Sequence, residues 1–340
     1  MTDAFALRSD VPLSVLDLAP VSQGQSVAGA IDTSARLAEV ADAAGYRRYW
    51  FAEHHNNEGV VSNATALLIS LAASRTSRIR VGSGGVMLPN HVPLVVAEQF
   101  GTLARMYPDR IDLGLGRAPG TDPRTAAMLR RGDSSGQAFA GEIVELQAFF
   151  GSQEGLAVRA LTARDAQVPM CVLGSSTSGA AVAGQLGLPF AVASHFAPES
   201  LHEAIAVYKQ YFDPDAGPAQ LDQPYVIAGV NVLVGESAEE AAFQFSSHQQ
   251  VVRDIITGGR RPVRPPRADA MVDWDPREAA MVQARLSAGA VGTADSVRAG
   301  LRELVEATGV NELMVVTYAY DRQVREDSYR LLAEAWGSGV

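Results

Sequence analysis

Apolar residues recur along this chain in short runs that stop at glycine, proline or small polar residues. Eight runs have the length and continuity of buried strands: 12–19, 46–52, 79–88, 111–115, 169–173, 190–193, 225–234 and 313–318. Strands buried on both faces read as unbroken apolar runs rather than alternating ones. The intervals between them carry the period of helices that bury one face. Leu37, Val40, Ala41 and Ala44 form the first such face, with Asp32 as its expected cap and Gly45 as its stop. Ser62 and Asn63 are expected to open a second helix through Leu67, Leu68 and Leu71. Pro93 stands at the start of a third through Val96, Phe100 and Leu103. Helices are also expected over 136–150, up to Leu186, through Leu201, Ile205 and Tyr208, over 293–308, and through Leu331, Leu332 and Trp336. Ser237 and Glu240 have capping-box spacing for one more.

Eight strands each followed by a helix, with no break in composition, predict one α/β unit. A closed (β/α)8 TIM barrel accounts for the count of eight; an open doubly wound sheet is the alternative. A plain barrel needs about 250 residues, so 340 leaves room for insertions within a single domain spanning 1–340. The largest surplus lies between strands seven and eight, at 255–291. Its GGRRPVRPPRADAMVDWDP is too polar and proline-rich for core, which predicts a mobile insertion or lid, or else a plain solvated loop. The stretch 151–167 reads as a loop with an irregular strand.

The net charge of −10, with no basic block but the proline-broken 260–267, argues against a nucleic-acid partner. The single cysteine, Cys171, lies in an apolar run, which excludes a disulfide within the chain. No segment reads as a signal peptide or membrane span, so a cytoplasmic protein is expected.

In such barrels ligands bind at the carboxyl ends of the strands. The distinctive polar residues collect there: Glu53, His54 and His55 after strand two, Arg117 after strand four, 175–178 after strand five and His195 after strand six. Gly84 and Gly85, following Ser83 inside strand three, fit either a flat shelf for a ligand or a bulge. Ser175, Ser176, Thr177 and Ser178 open a helix, where free N–H groups and hydroxyls suit a phosphate or simply cap the helix. Arg117 could supply the matching charge. No Walker-type loop or complete dinucleotide fingerprint appears, which favours a mononucleotide over NAD. Glu53, His54, His55 and His91 lack standard metal spacing, and no metal is expected. One histidine at a strand mouth suits general acid–base work or a structural hydrogen bond. No GxSxG elbow is present and Cys171 is expected to be buried, so a catalytic nucleophile is not expected.

Five segments, LSVLDLAPV, RYWFAEHHN, VGSGGVMLPNHVPLVVAEQF, RIDLGLGRAPG and VLGSSTSGAAVAGQLGLPFAVASHF, resemble in order those of luciferase-like flavin-dependent monooxygenases. The resemblance covers strands one to six and is vaguer beyond Tyr225. It implies a (β/α)8 barrel binding FMN, or in some branches a deazaflavin, with His54 catalytic. It places a non-prolyl cis peptide at Gly84-Gly85 under the flavin ring, and Arg117, Ser175 and Ser178 on the phosphate. Glu53 and Ser83 complete the expected cofactor-contacting set. The family's reactive cysteine before the arginine is Gly116 here, so light emission is not implied. The expectation is a two-component monooxygenase using reduced FMN from a separate flavin reductase, oxygen and a small organic substrate, as a homodimer. A deazaflavin-dependent hydride-transfer oxidoreductase and a non-catalytic flavin-binding protein are the alternatives.

Overall fold

The computed structural model describes residues 3–8, 10–129, 134–268 and 270–337. In chain order the strands are β1 (Leu13–Asp17), β2 (Arg48–Phe51), β3 (Arg80–Met87), β4 (Ile111–Gly116), β5 (Met170–Gly174), β6 (Phe190–Val192), β7 (Val226–Val234), β8 (Gly289–Gly292) and β9 (Glu312–Val316). The helices are α1 (Val27–Ala43), α2 (Thr65–Arg75), α3 (Pro93–Met106), α4 (Pro123–Met128), α5 (Gly136–Phe150), α6 (Thr177–Gln185), α7 (Leu201–Tyr211), α8 (Ala238–Ile256), α9 (Pro276–Arg285), α10 (Ala294–Thr308) and α11 (Arg322–Trp336).

Strands β1 to β7 and β9 pair in parallel, and β9 returns to β1, closing an eight-stranded (β/α)8 barrel. All eight expected strands are in that ring. The ninth, β8, lies outside it and pairs only with the far half of β7, from Asn231 to Val234. The near half of β7, Ile227 to Asn231, pairs with β9. A long β7 therefore serves the barrel with one end and a side strand with the other.

Alternation along each strand separates two cores. In β2, Tyr49 and Phe51 pack outward among the helices, while Trp50 points into the barrel with Leu16, Cys171, Ile227 and Met314. The interior also holds charge. Arg48, fully buried, pairs with Asp112 at 2.8 Å and with Glu312 at 2.9 Å. Trp50 Nε1 donates to Asp112 at 3.0 Å, and Tyr225 Oη and Ser14 Oγ donate to Glu312. These residues stand at the starting ends of β2, β4 and β9 and plug that end of the barrel. Breaking a buried pair by removing one partner costs about 3–5 kcal/mol, so the plug fixes the strands whose other ends carry the site.

Several local expectations are corrected. Asp32 lies within α1; the cap is Ser26, whose Oγ accepts from Gly29 N at 3.1 Å. Ser62 and Asn63 precede α2, whose N-cap is Ala64. The stretch 151–167 holds turns and no strand. The segment 255–291 contributes core despite its composition: Trp274 and Val282 pack with Val252 and Ala270, and Val263 joins the barrel-mouth cluster. It also forms α9 and most of β8. The expected domain span 1–340 includes residues 1–2, 9, 130–133, 269 and 338–340, of which 269 falls in this segment; these lie outside the described residues. No described helix is long and apolar enough to cross a membrane.

Candidate active site

A cavity of about 700 Å³ opens at the carboxyl ends of the strands. Its wall takes residues from almost every strand end: His54 and His55 after β2, Gly84 and Gly85 in β3, Arg117 after β4, Ser175 and Ser176 after β5, and His195 after β6. Periodicity had placed all of these at strand mouths, and the barrel brings them together.

The peptide between Gly84 and Gly85 is cis, as the resemblance implies. The pairing of β3 with β4 also shifts register between Ser83 and Val86, the irregularity expected of a bulge. At Gly85 the barrel's backbone excludes a side chain, and at Gly84 one would have to displace the tip of Leu16. A β-carbon on Gly84 would come within 2.7 Å of Leu16 Cδ1, and one on Gly85 within 2.6 Å of the Gly114 carbonyl.

Arg117 Nη1 donates to Ser178 Oγ at 3.0 Å, joining the loop after β4 to the first turn of α6. Ser176 is the N-cap of α6, and its hydroxyl caps nothing. The first-turn N–H groups of α6 thus face the same end of the cavity as a guanidinium.

The sequence EHH splits into two roles because β2 ends at Phe51; strand alternation no longer governs residues 53–55. Glu53 is buried and does not line the cavity. Its carboxylate accepts from His55 Nε2 and His91 Nε2 at 2.9 Å and from Met87 N at 3.0 Å. Burial alone would raise its pKa; the hydrogen bonds from His55 and His91 outweigh this and hold it at about 2. His55 is turned back onto Glu53. Ser83 is also withdrawn from the wall: its Oγ donates to the Gly114 carbonyl at 2.8 Å. Glu53, His55 and His91 do place three potential ligand atoms within 4.8 Å of one another. Distances of 2.9 Å, with a backbone N–H on the same carboxylate, are those of a hydrogen-bonded clamp.

His54 faces the cavity. No hydrogen bond reaches its ring, and Nδ1 is buried without a partner. Burial lowers its pKa to about 4, against the charge of Glu53, which raises it. The ring is therefore neutral at pH 7. Sequence reading missed His248, on the buried face of α8, and Asn231 of β7, both in the wall. Phe245, His248 and Val252 share the apolar face of α8 at helical spacing, which was the available signal. It also missed Arg260 and Arg261, which bring basic charge to the same cavity from the segment after α8. Cys171 is buried and free, and burial pushes its thiol up, away from nucleophilic use.

The sequence profile of luciferase-like monooxygenases matches residues 11–312. A luciferase-like monooxygenase of Escherichia coli strain K12 is 43% identical over 325 residues, covering 94% of this chain and 96% of its own. The crystal structure of apo-MsnO8 has a TM-score of 0.84 at 35% identity, covering 96% of this chain and 98% of that one. Two more distant structures share the fold. One is the oxygenating constituent of 3,6-diketocamphane monooxygenase from the CAM plasmid of Pseudomonas putida, in complex with FMN (TM-score 0.71, 17% identity, 97% and 99% covered). The other is an F420-dependent secondary alcohol dehydrogenase in complex with an F420-acetone adduct (TM-score 0.67, 14% identity, 96% and 99% covered). With the family profile spanning most of its length and the barrel closed as in these relatives, this chain belongs to the luciferase-like monooxygenase family of enzymes.

Proposed function

We propose that this protein is an FMN-dependent, two-component monooxygenase that takes reduced FMN from a separate flavin reductase and oxidises a small organic molecule with oxygen. One observation carries the reading: a neutral, unpartnered His54 faces a cavity whose other end holds Arg117 and the open first turn of α6.

The residues fit FMN. Arg117, Ser175 and Ser178, with Ser176, would hold its one phosphate through charge and helix-start N–H groups. Gly84 and Gly85 would lie against the ring, where no side chain intrudes. Bound and reduced, FMN supplies the electrons that activate molecular oxygen. His54 Nε2 would hold or release a proton beside the reacting groups. Leu16, Trp50, Val192 and Met314 make the surrounding wall apolar and exclude water. Glu53 and Ser83, expected as cofactor contacts, act here by fixing the His54 loop and the β3–β4 pairing. The segment 255–291 would close over the mouth as a lid. Leu67, Val92, Val95 and Met106, exposed on and beside α2 and α3, offer an apolar face that a homodimer would cover.

A deazaflavin-dependent oxidoreductase is the second reading, and Arg260 and Arg261 favour it, because a longer anionic tail wants more basic charge at the mouth. Arg260 is already paired with Asp122 at 3.3 Å, which leaves it less suited to that task. To test the proposal, protein and reduced FMN are mixed without air and then exposed to oxygen in a stopped-flow instrument. Bound FMN should oxidise along a course distinct from free reduced FMN. An identical course would contradict the reading.

A further inference from the structure

Four histidines line the cavity wall; His55 is held on Glu53, and of the other three only His54 belongs to the proposed proton chemistry. His195 and His248 stand across the mouth from Gly84 and Gly85, on the side built by β6, β7 and β9. The position of each is over-determined. The His195 ring fills the space inside the barrel that a side chain at position 229 would occupy; a β-carbon on Gly229 would collide with its Nδ1. Asn231 Nδ2 donates to the His195 carbonyl at 2.8 Å and fixes the backbone behind the ring. His248, 5% exposed, stacks on Tyr318 at 4.7 Å and meets the edge of Phe245 at 5.2 Å.

Neither ring has a hydrogen bond, and in both it is Nδ1 that is buried without a partner. A buried acceptor left unpaired costs less than a buried N–H left unpaired. We therefore assign the proton to Nε2 in both, the nitrogen turned to the cavity. Burial keeps the rings neutral, lowering His195 to about 4 and His248 to about 3; His54 adds to the cost of charging His195, and His195 to that of charging His248. Around them the wall is Ala191, Val192, Met314, Val316 and Tyr318. The wall's Asp254 is tied to Arg264 at 2.9 Å, and its arginines belong to the phosphate end and the segment after α8.

We infer that His195 and His248 form the organic-substrate subsite, presenting two neutral Nε2–H donors to an uncharged, largely apolar molecule that carries an oxygen acceptor. This rests on the monooxygenase reading for what happens to that molecule, but not for its binding. Anionic substrates are disfavoured there, since a carboxylate would give up its water to two neutral N–H donors in an apolar wall. A hydrocarbon without an acceptor would leave both N–H groups unpaired and also lose affinity.

The test uses the full-length protein labelled at histidine Cε1, whose six histidines give six ring signals assignable by single substitution. Acetophenone, benzoate and ethylbenzene serve as matched probes, titrated with and without FMN. Acetophenone should shift the His195 and His248 signals and leave His202, exposed on α7, unmoved. Benzoate and ethylbenzene should each bind at least threefold more weakly. His248→Leu and His195→Leu should each weaken acetophenone about three- to tenfold, the worth of one hydrogen bond, and His248→Gln should recover part of the loss. Benzoate or ethylbenzene binding as tightly as acetophenone, or shifts confined to other histidines, would overturn the assignment. The signals from FMN-free protein stand on their own. Failure to bind FMN would count against the proposed function, while normal FMN binding with no response at His195 and His248 would count against the subsite alone.

Discussion

Arg117 Nη1 lies 3.0 Å from Ser178 Oγ, so a loop behind β4 and the first turn of α6 meet through one hydrogen bond. Nothing in the sequence spacing of 61 residues links the two; barrel closure does, by setting β4 beside β5. The pair is what a phosphate at this end of the cavity would engage, and it frames the first prediction.

Arg117→Ala should weaken FMN by about 1.5–3 kcal/mol, the range for hydrogen bonds to charged groups. Riboflavin, which lacks the phosphate, should bind nearly as before. Fluorescence titration of both ligands against both proteins checks this. Equal losses for the two would show that the arginine supports the ring or the fold.

Glu53 makes the acid stability of the protein partly a property of one residue. Its carboxyl is held at about 2 against an ordinary 4.5. A depressed carboxylate stabilises the fold above its unfolded value and loses that contribution as pH falls through its folded value. The window is therefore pH 4.5 down to 2, and the contribution is about 3 kcal/mol, since each unit is worth about 1.4. Glu53→Gln should lower stability at pH 7 by about 1–3 kcal/mol and flatten the acid limb in that window. Denaturant melts across the pH range measure both. An unchanged acid limb would mean that the clamp from His55 and His91 carries no linkage.

His54 and His55, adjacent in sequence, should separate cleanly in function. His54→Ala should keep FMN affinity within a few-fold and lose about 10²–10⁴ in turnover, the usual worth of general acid–base assistance. His55→Ala breaks one of the hydrogen bonds on Glu53 and should mainly lower the melting temperature. Binding, melting and single-turnover kinetics on both variants make the comparison. A folded His55→Ala that is inactive, beside an active His54→Ala, would reverse the roles.

The barrel was legible because each of its eight strands is an apolar run with both faces buried, and such runs survive any register. The ninth strand was not: Gly289-Ala290-Val291-Gly292 is short, half glycine and paired on one side only. Arg48, Asp112 and Glu312 escaped notice for another reason. Arg48 follows Arg47, Asp112 is one charge in an apolar run and Glu312 stands just before another, and only the closed ring shows that the three meet. The strand-mouth residues could be located but not oriented. Glu53 and Ser83 face protein rather than cavity: Glu53 lies in a loop after a strand, which obeys no alternation, and Ser83, inside β3, turns its hydroxyl to the Gly114 carbonyl. His248 was hidden by its helix, where an apolar face at period 3.6 makes a histidine look like filler.

The most direct measurement is an anaerobic titration of the protein with reduced FMN, a reduced deazaflavin of the F420 type, and reduced FAD. The account places one phosphate between Arg117 and the start of α6, and it gives Arg260 to Asp122 rather than to a ligand. Reduced FMN should bind most tightly of the three. Tighter binding of the deazaflavin would contradict the monooxygenase reading and assign the cavity to hydride transfer.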